Sequence, residues 1–130
     1  MENNGRALEN ARRVAARFSM AGRKSLVTGG SLSIGREIAL AFAEAGADVA
    51  IHHARSADIG FGRPAAAEDA VAAIAARGGR SITIDADFAR PSEPARCVDE
   101  ARRALGGLDV LVVCASIQHR TPFEAVSYTH

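Results

Sequence analysis

The stretch Leu26–Gly35 constrains the fold of this chain more than any other. An apolar run ends at Thr28, two glycines (Gly29 and Gly30) follow, and a helical pattern starts at Ile34. This order predicts a strand, a tight glycine- and serine-rich turn and the N-terminus of a helix. Such a junction directs several free backbone N–H groups and the positive end of the helix dipole at one point, which suits an anion. We therefore predict that the turn binds the phosphates of a dinucleotide.

The rest of the chain alternates between strands and helices. Strands are predicted at about 24–28, 48–53, 81–84 and 109–113, helices at about 34–45, 65–76 and 92–105, and a long loop at 54–64. This alternation predicts right-handed crossovers and a Rossmann-like α/β fold: a doubly wound parallel sheet, truncated after about four strands, in the order 3-2-1-4. The switch in strand order brings residues 29–35 and 114–116 to face each other.

Helical periodicity also predicts which side chains face the core. The expected inward stripe is Ile34, Ile38, Phe42 and Ala45 in the first of these helices, and Val98, Ala101 and Leu105 in the third. Residues 1–17 are predicted to be a loose tail over 1–6 and then a short amphipathic helix that packs beside the domain. An arginine-rich N-terminus is also typical of a transit peptide, an interpretation that Glu2 and Glu9 oppose.

Composition excludes several classes of function. The net charge is +1, and no basic cluster with interleaved aromatic residues is present, so no nucleic acid partner is expected. No apolar run is long enough to span a bilayer, so no membrane association is expected. Cys97 and Cys114 fit neither a metal-binding spacing nor a disulfide framework, which favours a reducing compartment and a cytoplasmic location.

Several ordered motifs resemble the opening of the short-chain dehydrogenase/reductase family. They are the stretches Phe18–Gly30, Ser33–Ala39, 46–49, 86–87 and 106–112. The family's phosphate loop reads T-G-x-x-x-G-I-G, and the resemblance covers residues 18–126. It implies a partial NAD(P)-binding Rossmann domain over that range. For the complete protein it implies an oxidoreductase that transfers a hydride between nicotinamide and a small carbonyl or alcohol substrate, and a homo-oligomer.

The resemblance also implies the residues that bind the cofactor. The pyrophosphate would bind at Gly29, Ser31, Ser33, Ile34 and Gly35. The adenine would contact Asp87 and Phe88, and the adjoining ribose would lie beside Cys114, Ala115 and Ser116. His53, interpreted as a loop histidine, stands where NAD-preferring enzymes carry a carboxylate. Arg55 follows and could pair with a 2′-phosphate, so NADP is favoured while NAD remains possible.

Two departures from the family pattern concern this site. Ser33 replaces the middle glycine of the loop. A positive φ at this position would cost about 1–2 kcal/mol, whereas a mere need for close approach would leave the hydroxyl free to donate to a phosphate. The segment 113–116 replaces the family's N-N-A-G, so the asparagine hydrogen bonds that tie this turn to its neighbours are expected to be absent.

The family's catalytic serine and Tyr-x-x-x-Lys pair cannot be placed, so no catalytic residue and no metal ligand is predicted. Tyr128 has no lysine four residues later, and Lys24 is the only lysine. The last five residues match one reading frame of a transposon sequencing adapter, so 127–130 are expected to be a non-native tail. The fourth strand would then form an open apolar edge, which predicts that the isolated fragment is poorly soluble or partly unfolded. Because the catalytic residues cannot be placed, the fragment is also expected to be inactive.

Two other functions remain open for this sequence. A non-catalytic Rossmann module that binds a nucleotide would explain the altered Ser33 and the segment 114–116. A transferase that uses another nucleotide cofactor is the weaker alternative, and it would not bind NADPH. A Tyr-x-x-x-Lys sequence downstream of this chain would favour the enzyme over the module.

Overall fold

The computed structural model describes residues 2–117, with the side chains of residues 2 and 3 left out. The elements are α1 (Glu2–Arg17), β1 (Lys24–Thr28), α2 (Ser33–Glu44), β2 (Asp48–His53), α3 (Arg55–Gly60), α4 (Ala66–Ala75), β3 (Arg80–Asp85), α5 (Glu93–Leu105) and β4 (Val110–Val113). All four strands predicted from the sequence are present and run parallel in one sheet of order β3-β2-β1-β4. The predicted fold class and strand order are therefore confirmed.

The register of the sheet brings the strand ends together at one edge. β1 pairs with β2 from Lys24↔Asp48 onward and with β4 from Ser25↔Val110 onward. Because the strands are parallel, the loops that follow them emerge side by side. The turn after β1 therefore lies between the residues that follow β2 and those that follow β4.

Helices cover the two faces of the sheet and build two apolar clusters. On one face, α2 packs on β1 and β2 while α4 packs on β3 and α2, and the cluster is Val27, Ala39, Leu40, Ala43, Ala47, Val49, Ile51, Ala70 and Ile74. On the other face, α5 packs on β1, β2 and β3, and the cluster is Leu26, Ala50, Ile84, Ala86, Cys97, Ala101 and Leu105. Alternate residues of each strand point to opposite faces, so the same sheet contributes side chains to both clusters.

Two helices confirm the predicted faces in part. In α2 Ile38 and Phe42 pack against the core, and in α5 Ala101 and Leu105 are buried. In α2 the side chain of Ile34 is 71% exposed, and the buried positions are Gly35, Ala39, Leu40 and Ala43. In α5 Cys97 is buried while Val98 is 36% exposed. Small side chains face the sheet in both helices because they let the helix backbone approach it closely.

Two further local predictions are wrong. The predicted loose tail belongs to α1, which begins at Glu2. The predicted packing of this helix beside the domain is not observed, since Leu8, Val14 and Phe18 are all more than half exposed. The predicted loop over 54–64 contains α3. The predicted non-native tail, 127–130, lies outside the described residues. No helix within residues 2–117 combines the length and apolarity needed to cross a membrane.

Candidate functional site

A cavity of about 530 Å³ opens where the carboxyl ends of the strands meet. It is lined by Gly29, Ser31, Leu32, Ser33, His52, His53, Ala54, Ser56, Ala57, Asp58, Phe61, Ala86, Asp87, Phe88, Ala89, Cys114, Ala115, Ser116 and Ile117. Parallel α/β sheets bind ligands at this kind of crevice, beside the point where the strand order reverses. The structure therefore brings the predicted adenine residues, the 114–116 segment and the first part of the phosphate loop into one cavity. The predicted residues Ile34, Gly35 and Arg55 do not line it.

The phosphate loop divides its backbone N–H groups into two sets. Gly29 donates its N–H to Nδ1 of His52 at 3.1 Å, and Gly30 donates to the carbonyl oxygen of His52 at 2.9 Å. The N–H groups of residues 31–35, in contrast, donate to no acceptor within residues 2–117. An anion would therefore meet this second set at the N-terminus of α2. The set includes Leu32, which the sequence analysis did not select.

The glycines of the loop allow its backbone segments to touch. A Cβ at Gly35 would overlap the carbonyl oxygen of Gly29, and one at Gly29 would lie 2.9 Å from the nitrogen of Ala115. Gly29 also has a φ of +64°, which favours glycine. These two residues thus permit close contact between the start of α2, the loop and the segment after β4.

Ser33 adopts the conformation that the missing glycine would favour. Its φ is 51°, and it is the one non-glycine residue with a positive φ among residues 2–117. A side chain in this region costs about 1–2 kcal/mol. Of the two consequences that the sequence left open, the backbone strain is therefore the one observed.

A buried polar chain connects the phosphate loop to α3. The hydroxyl of Ser31 donates to Asp58 Oδ1 at 2.8 Å, and Asp58 Oδ2 lies 2.9 Å from Nδ1 of His53. All three residues are buried. The Ser31 hydroxyl is thus used within the protein, and only its N–H remains for a phosphate. His53 ends β2 and is 4% exposed, so its interpretation as a loop histidine is wrong.

Arg55 lies beside the cavity, but its guanidinium forms an ion pair with Glu68. Its guanidinium donates to Glu68 at 2.8 Å, and its backbone N–H donates to Asp85. Hydrogen bonds from the backbone N–H of Glu68 and from Arg55 lower the pKa of the Glu68 carboxyl. About half of each side chain of this ion pair is exposed, so the pair is weak enough for Arg55 to exchange partners.

The predicted adenine residues form the opposite wall of the cavity. The ring of Phe88 stacks on that of His52, with centroids 3.9 Å apart and planes inclined by 9°. The Asp87 carboxylate accepts the backbone N–H of Ala89 at 3.0 Å. Phe61, which is 75% exposed, also lines the cavity and was missed because it lies in the segment predicted as a loop, 54–64.

Thr28 supplies hydrogen bonds in place of the asparagine bonds that the sequence predicts to be absent from the turn after β4. Its Oγ1 accepts the backbone N–H groups of Cys114 at 3.1 Å and Ala115 at 3.2 Å. These bonds join the end of β1 to the turn after β4. The threonine hydroxyl thus holds the 114–116 segment without an asparagine in that segment.

The remaining titratable groups offer no second chemistry. Among residues 2–117, no group of three or more histidine, cysteine, aspartate or glutamate side chains could hold a metal ion. Burial raises the pKa of Cys97 to about 11, so its thiol is a packing group rather than a nucleophile. Within residues 2–117, these groups thus supply neither a metal centre nor, at Cys97, a reactive thiol.

The chain matches known proteins over most of its length. The family profile described as short chain dehydrogenase matches residues 23–130. The chain is 38% identical over 102 residues to the short chain dehydrogenase/reductase AacuN of Aspergillus aculeatus, an alignment that covers 78% of this chain and 35% of that protein. It thus spans about a third of the length of that relative.

Solved structures agree with this match. A dehydrogenase/reductase from Sinorhizobium meliloti superposes with a TM-score of 0.77 at 35% identity, over 90% of this chain and 44% of that one. A short chain dehydrogenase from Burkholderia cenocepacia, solved in complex with NADP, gives a TM-score of 0.71 at 40% identity. That superposition covers 84% of this chain and 42% of the other.

Proposed function

The chain belongs to the short-chain dehydrogenase family, and we propose that it is the cofactor-binding half of an NADP(H)-dependent oxidoreductase acting on a carbonyl or alcohol substrate. The observation that carries this proposal is the row of N–H groups of residues 31–35, which have no acceptor within residues 2–117 and of which the first three belong to residues that line the cavity. They form a phosphate site at a helix N-terminus. A homo-oligomeric, cytoplasmic complete protein is part of the same proposal.

The residues present fit a dinucleotide. The pyrophosphate would lie against residues 31–35, the adenine against Asp87 and Phe88, and the adjoining ribose against 114–116. Gly29 and Gly35 keep the loop compact enough for this approach. A bound nicotinamide would supply the hydride, while this part of the chain would bind and orient the cofactor.

NADP is proposed over NAD on the residues that follow β2. His53 occupies the position where a carboxylate would repel a 2′-phosphate, and Arg55 lies two residues later. Asp58 does line the cavity, but its oxygens already accept from Ser31 and lie beside His53. The relative from Burkholderia cenocepacia was solved in complex with NADP, which supports the same preference.

Arg55→Ala in the complete protein tests this preference. We expect the KM for NADPH to rise by about tenfold, since one charge-assisted contact is lost, while the KM for NADH stays unchanged. Glu68→Gln frees Arg55 and should lower the KM for NADPH. Arg77→Ala removes an equally exposed arginine that pairs with Glu44, so it serves as the control. An equal effect of Arg55→Ala on both cofactors would contradict the role proposed for Arg55.

The function itself is tested by reading the source gene past the codon for Val126 and expressing the complete protein. We expect a downstream Tyr-x-x-x-Lys and NADPH-dependent reduction of some members of a carbonyl panel. Binding of NADPH without Tyr-x-x-x-Lys or turnover would instead support a non-catalytic module, which the strained Ser33 favours. If the protein binds neither NADPH nor NADH, both functions are excluded.

A further inference from the structure

His52 connects the two walls of the cavity. It lies in β2, between the ends of β1 and β3. Nδ1 of its ring accepts the N–H of Gly29 at 3.1 Å, and Nε2 lies 2.8 Å from the carbonyl oxygen of Ala86. The same ring stacks on Phe88, and only 3% of the residue is exposed.

These contacts determine the proton position on the ring. Because the N–H of Gly29 donates to Nδ1, that nitrogen carries no proton, and Nε2 therefore carries one and donates it to Ala86. The neutral ring thus satisfies an N–H of the phosphate loop and a carbonyl of the adenine wall at the same time. A protonated ring would direct a second donor at Gly29.

We propose that His52 is a positioning residue for the cofactor: its neutral ring holds the phosphate loop and the 86–89 segment at the separation that a dinucleotide requires. This inference depends on the proposed function, because it assigns pyrophosphate to the loop and adenine to Phe88. Nothing in the family resemblance assigns a role to this residue. His52 itself does not need to touch the cofactor, since it acts through Gly29, Ala86 and Phe88.

The groups around the ring determine how it responds to pH. Burial is the largest effect and lowers the pKa of His52 below its usual 6.5, and the neighbouring His53 lowers it further. The hydrogen bond to Ala86, Asp85 at the end of β3 and Asp58 in α3 oppose this shift. Both folded and unfolded rings are neutral above about pH 6.5, so the stabilisation is complete there and is lost as pH falls through the lower folded pKa. Cofactor affinity should decline over the same range.

The experiment uses the complete protein and compares two variants. His52→Phe keeps an aromatic ring against Phe88 but removes both ring hydrogen bonds. His52→Gln can still accept and donate but cannot titrate. Dissociation constants for NADPH and NADH are measured by cofactor fluorescence from about pH 8 down to the pH at which NMR shows the His52 ring to be protonated, together with kcat. Ile74→Val is the control, because Ile74 is buried in α4 and does not line the cavity.

We expect His52→Phe to raise the dissociation constant about tenfold at pH 8 with kcat changed less than about twofold. As the His52 ring becomes protonated, the wild-type affinity should fall more steeply than that of His52→Gln, and this comparison cancels the titration of the cofactor's own phosphates. Ile74→Val should change neither quantity.

Each outcome decides the matter. An unchanged dissociation constant in a folded His52→Phe protein, or parallel pH profiles for wild type and His52→Gln, would overturn the role of His52 alone. If His52→Phe does not fold, the His52→Gln profile decides. A wild-type protein that binds neither cofactor would overturn this inference together with the proposed function.

Discussion

Leu26 and Leu111 are register partners on neighbouring strands, yet their surroundings are opposite. Leu26 in β1 is fully buried, whereas Leu111 in β4 is 50% exposed and Val113 is 72% exposed. On the β2 side of β1, buried polar side chains such as His52 and Asp58 also tie the cavity together. On the β4 side, the tie is the hydroxyl of Thr28.

The comparison shows that, within residues 2–117, the side chains on the β2 side of β1 are packed and hydrogen-bonded, whereas those of β4 are largely exposed. A continuous apolar strand such as β4 is typical of a sheet covered on both faces. Within these residues, the covering helices pack mainly over β1, β2 and β3. We therefore expect substitutions of buried residues in β1 and the phosphate loop to have large effects and substitutions of exposed side chains of β4 to have small ones.

Among substitutions in the phosphate loop and its contacts, the largest effect is expected for Gly35→Ala. The added methyl group would overlap the carbonyl oxygen of Gly29, so either α2 or the phosphate loop must move. We expect a loss of about 3 kcal/mol in the free energy of unfolding, measured by urea denaturation, and no measurable cofactor binding. Gly60→Ala is the control, because a Cβ at Gly60 meets nothing within 4 Å. Equal midpoints for the two variants would contradict the close contact.

Thr28→Val should have the next largest effect, because it removes the tie to β4 while preserving side-chain shape. The N–H groups of Cys114 and Ala115 would lose their acceptor Oγ1, at a cost of about 1–2 kcal/mol. Hydrogen exchange at these two amides should accelerate. Thr83→Val, at an exposed position of β3, should leave both the stability and the exchange unchanged. Unaltered exchange in Thr28→Val would mean that other contacts hold the segment.

Ser33→Gly should stabilise the protein, since it removes the strain of a positive φ. The expected gain is about 1 kcal/mol in the free energy of unfolding, seen as a higher denaturation midpoint. Ser33→Ala keeps the strain and removes the hydroxyl, so it separates the two effects. A gain in Ser33→Ala equal to that in Ser33→Gly would show that the hydroxyl, and not the backbone, is the cause.

The smallest effect on stability is expected for Leu111→Lys in the 130-residue chain. Half of this side chain is exposed, so the free energy of unfolding should change by less than about 0.5 kcal/mol, while the soluble yield rises. Leu26→Lys, at the register partner, should prevent folding because it buries an unpaired charge. Circular dichroism and sedimentation measure both. Similar behaviour of the two variants would remove the contrast between the two sides.

Much of the cavity could be predicted from local patterns. The strand, glycine turn and helix start at residues 26–35 located the phosphate site, because breaks in periodicity and glycines act on the nearest neighbours in the chain. The 86–88 and 114–116 segments were predicted to lie in the site by resemblance, and both line the cavity. Which N–H groups of the loop are hydrogen-bonded within the protein was not predictable, because their acceptors belong to β2.

The side chains that shape the site were missed for a related reason. Thr28 meets its partners 86 and 87 residues later, and Ser31 meets Asp58 27 residues later. His52 could have been found from the register of the sheet. Because Lys24 pairs with Asp48, the end of β1 lies next to His52. Asp58 gave no such signal, because α3 lies in a segment that the glycines and proline predicted as a loop.

The sequence by itself determined the type and order of the elements, the parallel sheet and the position of its switch point, because hydrophobic period and glycine placement are local properties. Only the tertiary structure decided which helix faces are buried and how His52, Asp58 and Thr28 are paired. These features depend on how closely the backbones approach and on hydrogen bonds between residues far apart in the chain. The hydrogen bonds that shape the cavity are therefore formed between residues far apart in the sequence.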